Sequence, residues 1–517
     1  MRNLVHEPLL MGIDIGTSAC KTAVFRADGA VATASTREYP VYYPAPGWAE
    51  QDCEQWWSAV CAAIRDCLDV VPAGDIAGIG VDGQSWSCIP VDRDGNVLAK
   101  TPVWMDMRCA ALCGEVLQEV GHDRIFQVAK NPFQPSYTTP KILWFRQRHP
   151  EIYHNTACFL QSNSYIVFRL TGVLSQDKSQ GYGLHVYDMA KGCYDTDLCR
   201  ELKIDPDRLA PIFDCHTVVG HVTRRAFEET GLPTGIPVVA GGLDAACGTL
   251  GAGVYRPGQT QEQGGQAGGM SICEDHPAAD PRLILSNHVV PGLWLLQGGT
   301  VAGGASYKWA AETLGQYEAS VARQTGQHQM FLMDREAAAV PAGSDGMIFL
   351  PYLSGERSPI WDPDACGMFF GLSFGKGRGH FYRAVLEGAA YALRHNLEIA
   401  RQTGAQVTEM NSIGGAAASP LWMQIKSDVT GTPMCAPRAE TATTLGAALL
   451  AGVGTGVYSG FEQAVSKTIR IEKEYRPDPE MTKRYTELFG LYLQLYEANK
   501  DVMKAHAAVV RAMEDLK

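Results

Sequence analysis

Gly12-Ile13-Asp14-Ile15-Gly16-Thr17-Ser18 sets one acid on an apolar strand, then a glycine and two hydroxyl residues in a tight turn. The apolar run Leu9 to Ile15, the turn, and the renewed run Thr22 to Phe25 before Asp28-Gly29 read as strand, turn, strand. Backbone N–H groups and hydroxyls of such a turn can point at phosphate oxygens, and the carboxylate can hold Mg2+ through its waters. A plain hairpin whose acid bonds nearby amides fits the same residues equally well. Lys21 offers a cation to a terminal phosphate or simply to solvent.

Outward from this hairpin the pattern continues as α/β. Ile76 to Val81 runs into Asp82-Gly83-Gln84, Cys88 to Val91 into Asp92, and helix-like segments Glu54 to Val70 and Thr139 to Arg148 alternate with them. Pro237 to Ala240 leads to Gly241-Gly242-Leu243-Asp244, and the glycine-rich stretch Gly248 to Gly269 is where the chain divides. The pattern then restarts with Leu293 to Gln297 and helix-like Ala305 to Leu314. The expected domains are residues 1–250, residues 251–470 and a helical extension over residues 471–517. The similar openings of the two large domains suggest a distant structural duplication.

Composition narrows the class. A chain of 517 residues exceeds one ordinary core, and 46% hydrophobic with 19% charged residues is the balance of a packed globular protein. A net charge of −12 argues against a nucleic-acid partner, so an anionic ligand needs a local site. Fifteen scattered cysteines without a CxxC pair point to a reducing cytoplasm rather than to zinc or disulfides. The start, MRNLVHEPLLMGIDIGTS, does not read as a secretory signal, and the weakly polar run Ala442 to Tyr458 is too short for a membrane span.

Several further segments suit chemistry. There is no GxxxxGK[ST], so a nucleotide must be held in another way. Asp244 is delivered by a strand into a glycine-flanked turn, where a carboxylate can accept a hydroxyl proton or, alternatively, cap the following helix. A pKa of about 4 makes it a weak base, yet a loose phosphoryl-transfer transition state asks for little proton removal until late. Three glycine-rich turns follow: Gly264-Gly265-Gln266-Ala267-Gly268-Gly269, Gly303-Gly304-Ala305-Ser306 and Gly414-Gly415-Ala416-Ala417-Ala418-Ser419-Pro420. Each can bring backbone close to a nucleotide or merely connect elements.

Together and in chain order these segments resemble the FGGY carbohydrate kinases, from Met11 to about Val465. The resemblance is also carried by Pro46-Gly47-Trp48-Ala49-Glu50-Gln51-Asp52 with Trp56-Trp57, Trp104-Met105-Asp106-Met107-Arg108, and Thr138-Thr139-Pro140-Lys141 before Leu143-Trp144. Later matches are Pro351-Tyr352-Leu353-Ser354-Gly355-Glu356-Arg357-Ser358-Pro359, Gly367 to Gly371, and Glu440 to Gly446 running into Ala447-Ala448-Leu449. It implies two actin-like ATPase (ribonuclease H-like) domains closing on ATP and sugar in the cleft between them. By the same resemblance Asp14 organises Mg2+, and Thr17, Ser18 and Lys21 contact ATP phosphates. Asp244 is then the general base, and Gly303, Gly304, Gly415 and Ser419 line the nucleotide pocket. Gln84, Ser85 and Trp104, with Tyr137 as a further candidate, face the sugar.

Some positions depart from the family pattern. Gln266 stands in the second phosphate loop where a hydroxyl residue is usual, and is the expected replacement contact. Ala245 follows Asp244 where Asn or Gln is usual. The sugar loop reads Gly83-Gln84-Ser85-Trp86, where xylulokinases typically show Gly-Gln-Met-His and glycerol kinases Asn-Gln-Arg-Glu. The expected activity is therefore ATP-dependent phosphorylation of a small sugar, a ketopentose such as xylulose first. Another sugar or polyol, or a catalytically weak sensor on the same fold, is the alternative. In the C-terminal region Tyr485, Phe489, Leu491, Tyr492 and Tyr496 fall at helical spacing, which suits packing on the second domain or a homodimer surface.

Overall fold

The computed structural model describes residues 7–438 and 441–514. Of the stretches quoted above, Met1 to His6, Glu440 and the last residues up to Lys517 lie outside the described residues. In the first sheet β1 (Leu9–Ile15), β2 (Ala19–Phe25) and β3 (Val31–Glu38) form an antiparallel meander. Beyond β1 lie β4 (Ile76–Gly83), then β6 (Pro237–Val239) and β5 (Val218–His221), giving the order β5-β6-β4-β1-β2-β3; the short β7 (Gly242–Leu243) pairs with the end of β4. The second sheet contains β8 (Gln259–Gly264), β9 (Gly268–Glu274), β10 (Ile284–Asn287), β11 (Trp294–Thr300), β12 (Glu409–Ile413), β13 (Met434–Pro437) and β14 (Ile471–Tyr475). Their order is β10-β11-β9-β8-β12-β13-β14.

Both sheets repeat one scheme. The first strand of a hairpin is paired in parallel, on its other side, with a later strand: β1 with β4 in one sheet and β8 with β12 in the other. That later strand is in turn parallel to the next, β4 to β6 and β12 to β13. The fold is the two-domain actin-like ATPase arrangement. The helices used below are α1 (Cys53–Leu68), α2 (Thr138–Arg148), α3 (Asp244–Gly251), α4 (Gly303–Thr313), α5 (Arg378–Gln402), α6 (Pro420–Thr430), α7 (Ala442–Gly454) and α8 (Pro479–Glu514).

Strand alternation decides what each face does. Met11, Ile13 and Ile15 of β1 and Ile79 and Val81 of β4 pack with Trp56, Val60 and Ile64 of α1, each contributing roughly 1.5–3 kcal/mol when fully buried. Helix α1 begins where the Asp52 carboxylate accepts the Glu54 N–H at 3.0 Å. The opposite face of β1 carries Gly12 and Asp14, and that of β4 carries Gly80 and Asp82. Gly12 and Gly80 are in register, and a Cβ at either would collide with the α7 backbone, at Thr444 and Ala447 respectively. Helix α7 therefore lies directly on the first sheet, although it follows a strand of the second. It grips α3 in the same way: a Cβ on Gly446 would strike the Cys247 carbonyl, and one on Gly251 the Ala442 carbonyl. One apolar core consequently runs from Leu10 and Phe25 through Leu445 and Leu449 to Met270 and Leu296.

The C-terminal region is one long helix only from Pro479; Ile471–Tyr475, expected within the helical extension, is instead strand β14, paired with β13. Tyr485, Phe489, Tyr492 and Tyr496 are buried against α5 and its surroundings, whereas Leu491 is exposed. The Tyr485 hydroxyl donates to Glu387 and the Tyr496 hydroxyl to Asp362, each at 2.8 Å, so these aromatics are packing residues. All fifteen cysteines are unpaired, and all but Cys193 and Cys366 are buried. Among the described residues no helix is long and apolar enough to cross a membrane.

Candidate active site

Three acids converge where β1, β4 and β7 end. Asp14 and Asp82 are register partners on parallel strands, and Gly242 flanks Asp82 on its other side, two residues before Asp244 opens α3. Burial, then the neighbouring Asp14, pushes the Asp244 carboxyl up to about 7. Burial also lifts Asp14 to about 6, against the opposing pull of Asp82 and of Lys21, which faces it across the hairpin. Asp82 is fully buried and pushed well above the usual carboxylate range, by burial first and then by Asp14 and Asp244. Asp14 Oδ1 and both Asp82 carboxylate oxygens have no donor; the two acids can bond each other only through a shared proton or a cation.

Asp244 has a fixed seat. Its Oδ1 accepts the Ala245 N–H at 2.6 Å, so the helix-start bond foreseen for it is present. The preceding peptide is held by Ser179, whose hydroxyl accepts the Leu243 N–H at 2.8 Å and donates to Asp177 at 2.6 Å. Asp177 is itself buried and also takes bonds from Asn163 and the Gln180 N–H.

The turn after β1 is tied to the sugar-loop candidates. Trp104 Nε1 donates to Thr17 Oγ1 at 3.0 Å, and Thr17 Oγ1 donates to Gln84 Oε1 at 3.4 Å. The buried Gln84 amide also donates to Gln51, which in turn holds the Thr17 carbonyl. Ser18 is exposed on the turn and Lys21 half-buried. Ser85 accepts the Tyr182 hydroxyl at 2.9 Å. Trp86 adopts a left-handed backbone with φ 61° and stacks on Tyr137, with ring centroids 4.1 Å apart. Such a conformation is costly for a bulky residue and persists only when its surroundings impose it. Here the fully buried Lys141 of α2 imposes it, donating to the carbonyls of Trp86 (2.8 Å), Val103 (2.8 Å) and Ser136 (2.6 Å). The neighbouring Arg108 is engaged by Asp106 and Glu50.

On the second sheet a cavity of about 570 Å³ is lined by Gln266, Gly304, Gly415 and Ser419 together with Tyr307, His328, Phe331 and Asp334. Gly303 borders a smaller recess beside it, where a Cβ would collide with Gly268. The Gly304 and Ala305 N–H groups are bound by the carbonyls of Gly265 and Gln266 at 2.8 and 3.0 Å, which fastens the 264–269 loop to the start of α4. Ser419 caps α6 by accepting the Trp422 N–H, and donates to Asp334 at 2.7 Å. Behind the loop Lys426 and Glu262 form a buried pair at 2.6 Å.

The N-terminal domain model of the FGGY family of carbohydrate kinases matches residues 9–251, and its C-terminal domain model matches residues 274–455. The chain belongs to this family. As an FGGY kinase it is an ATP-dependent phosphotransferase acting on a sugar hydroxyl. It is 31% identical over 500 residues to a xylulose kinase of Bacillus subtilis (strain 168), spanning 96% of this chain and 98% of that one. A xylulose kinase structure from Rhodospirillum rubrum superposes with a TM-score of 0.87 at 31% identity, covering 96% of this chain and 100% of that one. A gluconate kinase structure from Lactobacillus acidophilus also gives 0.87, at 25% identity over 95% and 98% of the two chains.

Two features of this FGGY kinase escaped the sequence reading. Asp82 had a signal, because Gly80-Val81-Asp82 repeats the Gly12-Ile13-Asp14 pattern of glycine and acid on one strand face. Asp334 had none: it sits in a helix without a local signature and reaches the cavity only because Tyr307 and Ser419, distant in sequence, both donate to it.

Proposed function

We propose that this kinase phosphorylates a neutral ketopentose of the xylulose type in the cytoplasm, with Asp244 as the base. The observation that carries the reading is the meeting of Asp244 with Asp14 where the central strands β1, β4 and β7 end. The acceptor hydroxyl is set against Asp244, and its oxygen attacks the γ-phosphorus of ATP. The bond from that phosphorus to the bridging oxygen breaks, ADP leaves, and the hydroxyl proton passes to Asp244. Gly303, Gly304, Gly415 and Ser419 line the nucleotide pocket, and Thr17, Ser18 and Lys21, with Gln266 of the second loop, border its phosphate end. The orphaned Asp14 Oδ1 fits Mg2+, which when bound supplies positive charge to the phosphate oxygens.

The ketopentose preference draws support from the full-length resemblance to xylulose kinases. It also draws on charge: Lys141 and Arg108, the cations beside the sugar loop among the described residues, are already committed to carbonyls and carboxylates, so neither is free to pair with a sugar acid such as gluconate. Gln84, Ser85, Trp104 and Tyr137 are the sugar-facing set.

A coupled ADP-release assay across ketopentoses, aldopentoses, polyols, glycerol and gluconate tests this, run beside Asp244→Asn. The expected result is turnover best with a ketopentose and a fall of about 10²–10⁴ in kcat in the variant. Preference for gluconate would overturn the substrate class, and undiminished turnover in the variant would overturn the base. Silence across the panel with ATP and sugar still binding would make the protein a sensor.

A further inference from the structure

We propose that Asp82 is a second carboxylate ligand of the divalent cation at Asp14, so that the ion is held between two adjacent strands. The inference rests on the kinase reading only in taking Asp14 as the cation's residue.

Geometry comes first. Parallel neighbours in register place their side chains on the same face of the sheet, with strand spacing about 4.8 Å. Asp14 and Asp82 thus stand side by side, above the Gly12 and Gly80 pair that α7 covers. A metal ion between them would be reached by one oxygen from each.

Satisfaction comes second. Buried polar groups nearly always have partners, and the other buried acids here follow that rule. Asp106 has Arg108 and the Ala49 N–H, Asp177 has Asn163 and Ser179, and Glu262 has Lys426. Among the described residues Asp82 is the one fully buried acid with both oxygens orphaned. Its β7 neighbour, Gly242, has no side chain to offer.

Ion chemistry comes third. Mg2+ is usually bound by one or two carboxylates, completed by waters and substrate phosphates. Among the described residues no group of three or more acids, histidines or cysteines is arranged to hold a metal alone. A two-carboxylate seat completed by nucleotide phosphate fits both facts.

The test is Mn2+ binding to the full-length protein, followed by electron paramagnetic resonance with and without ADP, for wild type, Asp82→Asn and Asp14→Asn. The expected result is Mn2+ affinity at least about tenfold weaker in Asp82→Asn than in wild type, while ADP binding in chelator is unchanged, which also reports folding. Anomalous scattering from Mn2+-soaked wild-type crystals gives an answer without any variant, and should place the ion in contact with both carboxylates. Unchanged Mn2+ affinity in Asp82→Asn, or an ion touching Asp14 alone, overturns the proposal and leaves the pair joined by a proton. The two readings fail separately. A wild type that binds Mn2+ through Asp82 yet phosphorylates no sugar sinks the kinase reading alone, and an active kinase whose Mn2+ affinity ignores Asp82 sinks this one alone.

Discussion

Replacing Lys141 with methionine keeps most of the stem's volume and removes three donors at once. The carbonyls of Trp86, Val103 and Ser136 are then left without the ammonium that holds them. The Trp86 and Ser136 carbonyls are orphaned at about 1 kcal/mol or more each, while Val103 keeps the Asp106 N–H; the relieved desolvation of the ammonium offsets part of the three lost charge-assisted bonds, so about 3 kcal/mol is lost in all. For a domain of this size that corresponds to a fall of about 6–12 °C in the unfolding midpoint. Two of the three peptides released adjoin the sugar loop and Trp104, and Trp86 no longer has a reason to stay at φ 61°. If half the loss falls on sugar binding, the sugar KM rises about tenfold while the ATP KM stays put. Steady-state kinetics varying each substrate in turn, with a thermal melt, provide the check. A variant with wild-type midpoint and sugar KM would refute the reasoning, and equal rises in both KM values would assign Lys141 to general stability.

Other outcomes follow from the same geometry. Because Asp244 must be unprotonated to act and sits at about 7, kcat/KM should fall about tenfold per pH unit below 7, read from a pH profile. The same raised value means the stability it contributes is full below about pH 4 and is lost as pH rises through 7, so Asp244→Asn should melt higher than wild type at pH 8. Ser179→Ala orphans the buried Leu243 N–H and should lower kcat about 10–100-fold with little change in either KM, measured by the coupled assay. Gly446→Ala drives a methyl into the Cys247 carbonyl and should cost at least about 3 kcal/mol by melt. Gly490→Ala, with open space around its Cβ on α8, should instead stabilise by about 0.5–1 kcal/mol.

Much of the fold was legible because it is written locally. The alternation in Leu9 to Ile15, the turn Gly16-Thr17-Ser18 and the glycines around Asp244 announce strands and turns through their own residues, and the structure has them at β1, β2, β7 and the start of α3. The candidate site was legible where a residue's place follows from its element: Asp14 at a strand end, and Gly415 and Ser419 ahead of a helix. It was not legible where the partner is remote. Gln84 bonds Gln51 and the turn, Lys141 gathers carbonyls from three separate loops, and Asp334 depends on Ser419. Those pairings arise from sheet register and helix packing, which no short window of sequence contains.

The glycine contacts among α3, α7 and the first sheet also bear on how such an enzyme can change. They leave no side-chain slack between the helix that begins at Asp244 and the strands that carry Asp14 and Asp82, so the acids form one preassembled block. The cavity lined by Gln266, Gly415 and Ser419, and the residue Ser85, lie outside that block. New substrate preferences can therefore be tried by exchanging a residue such as Ser85, whose hydroxyl bonds Tyr182 and not the turn after β1, which would give one inherited reaction many different acceptors.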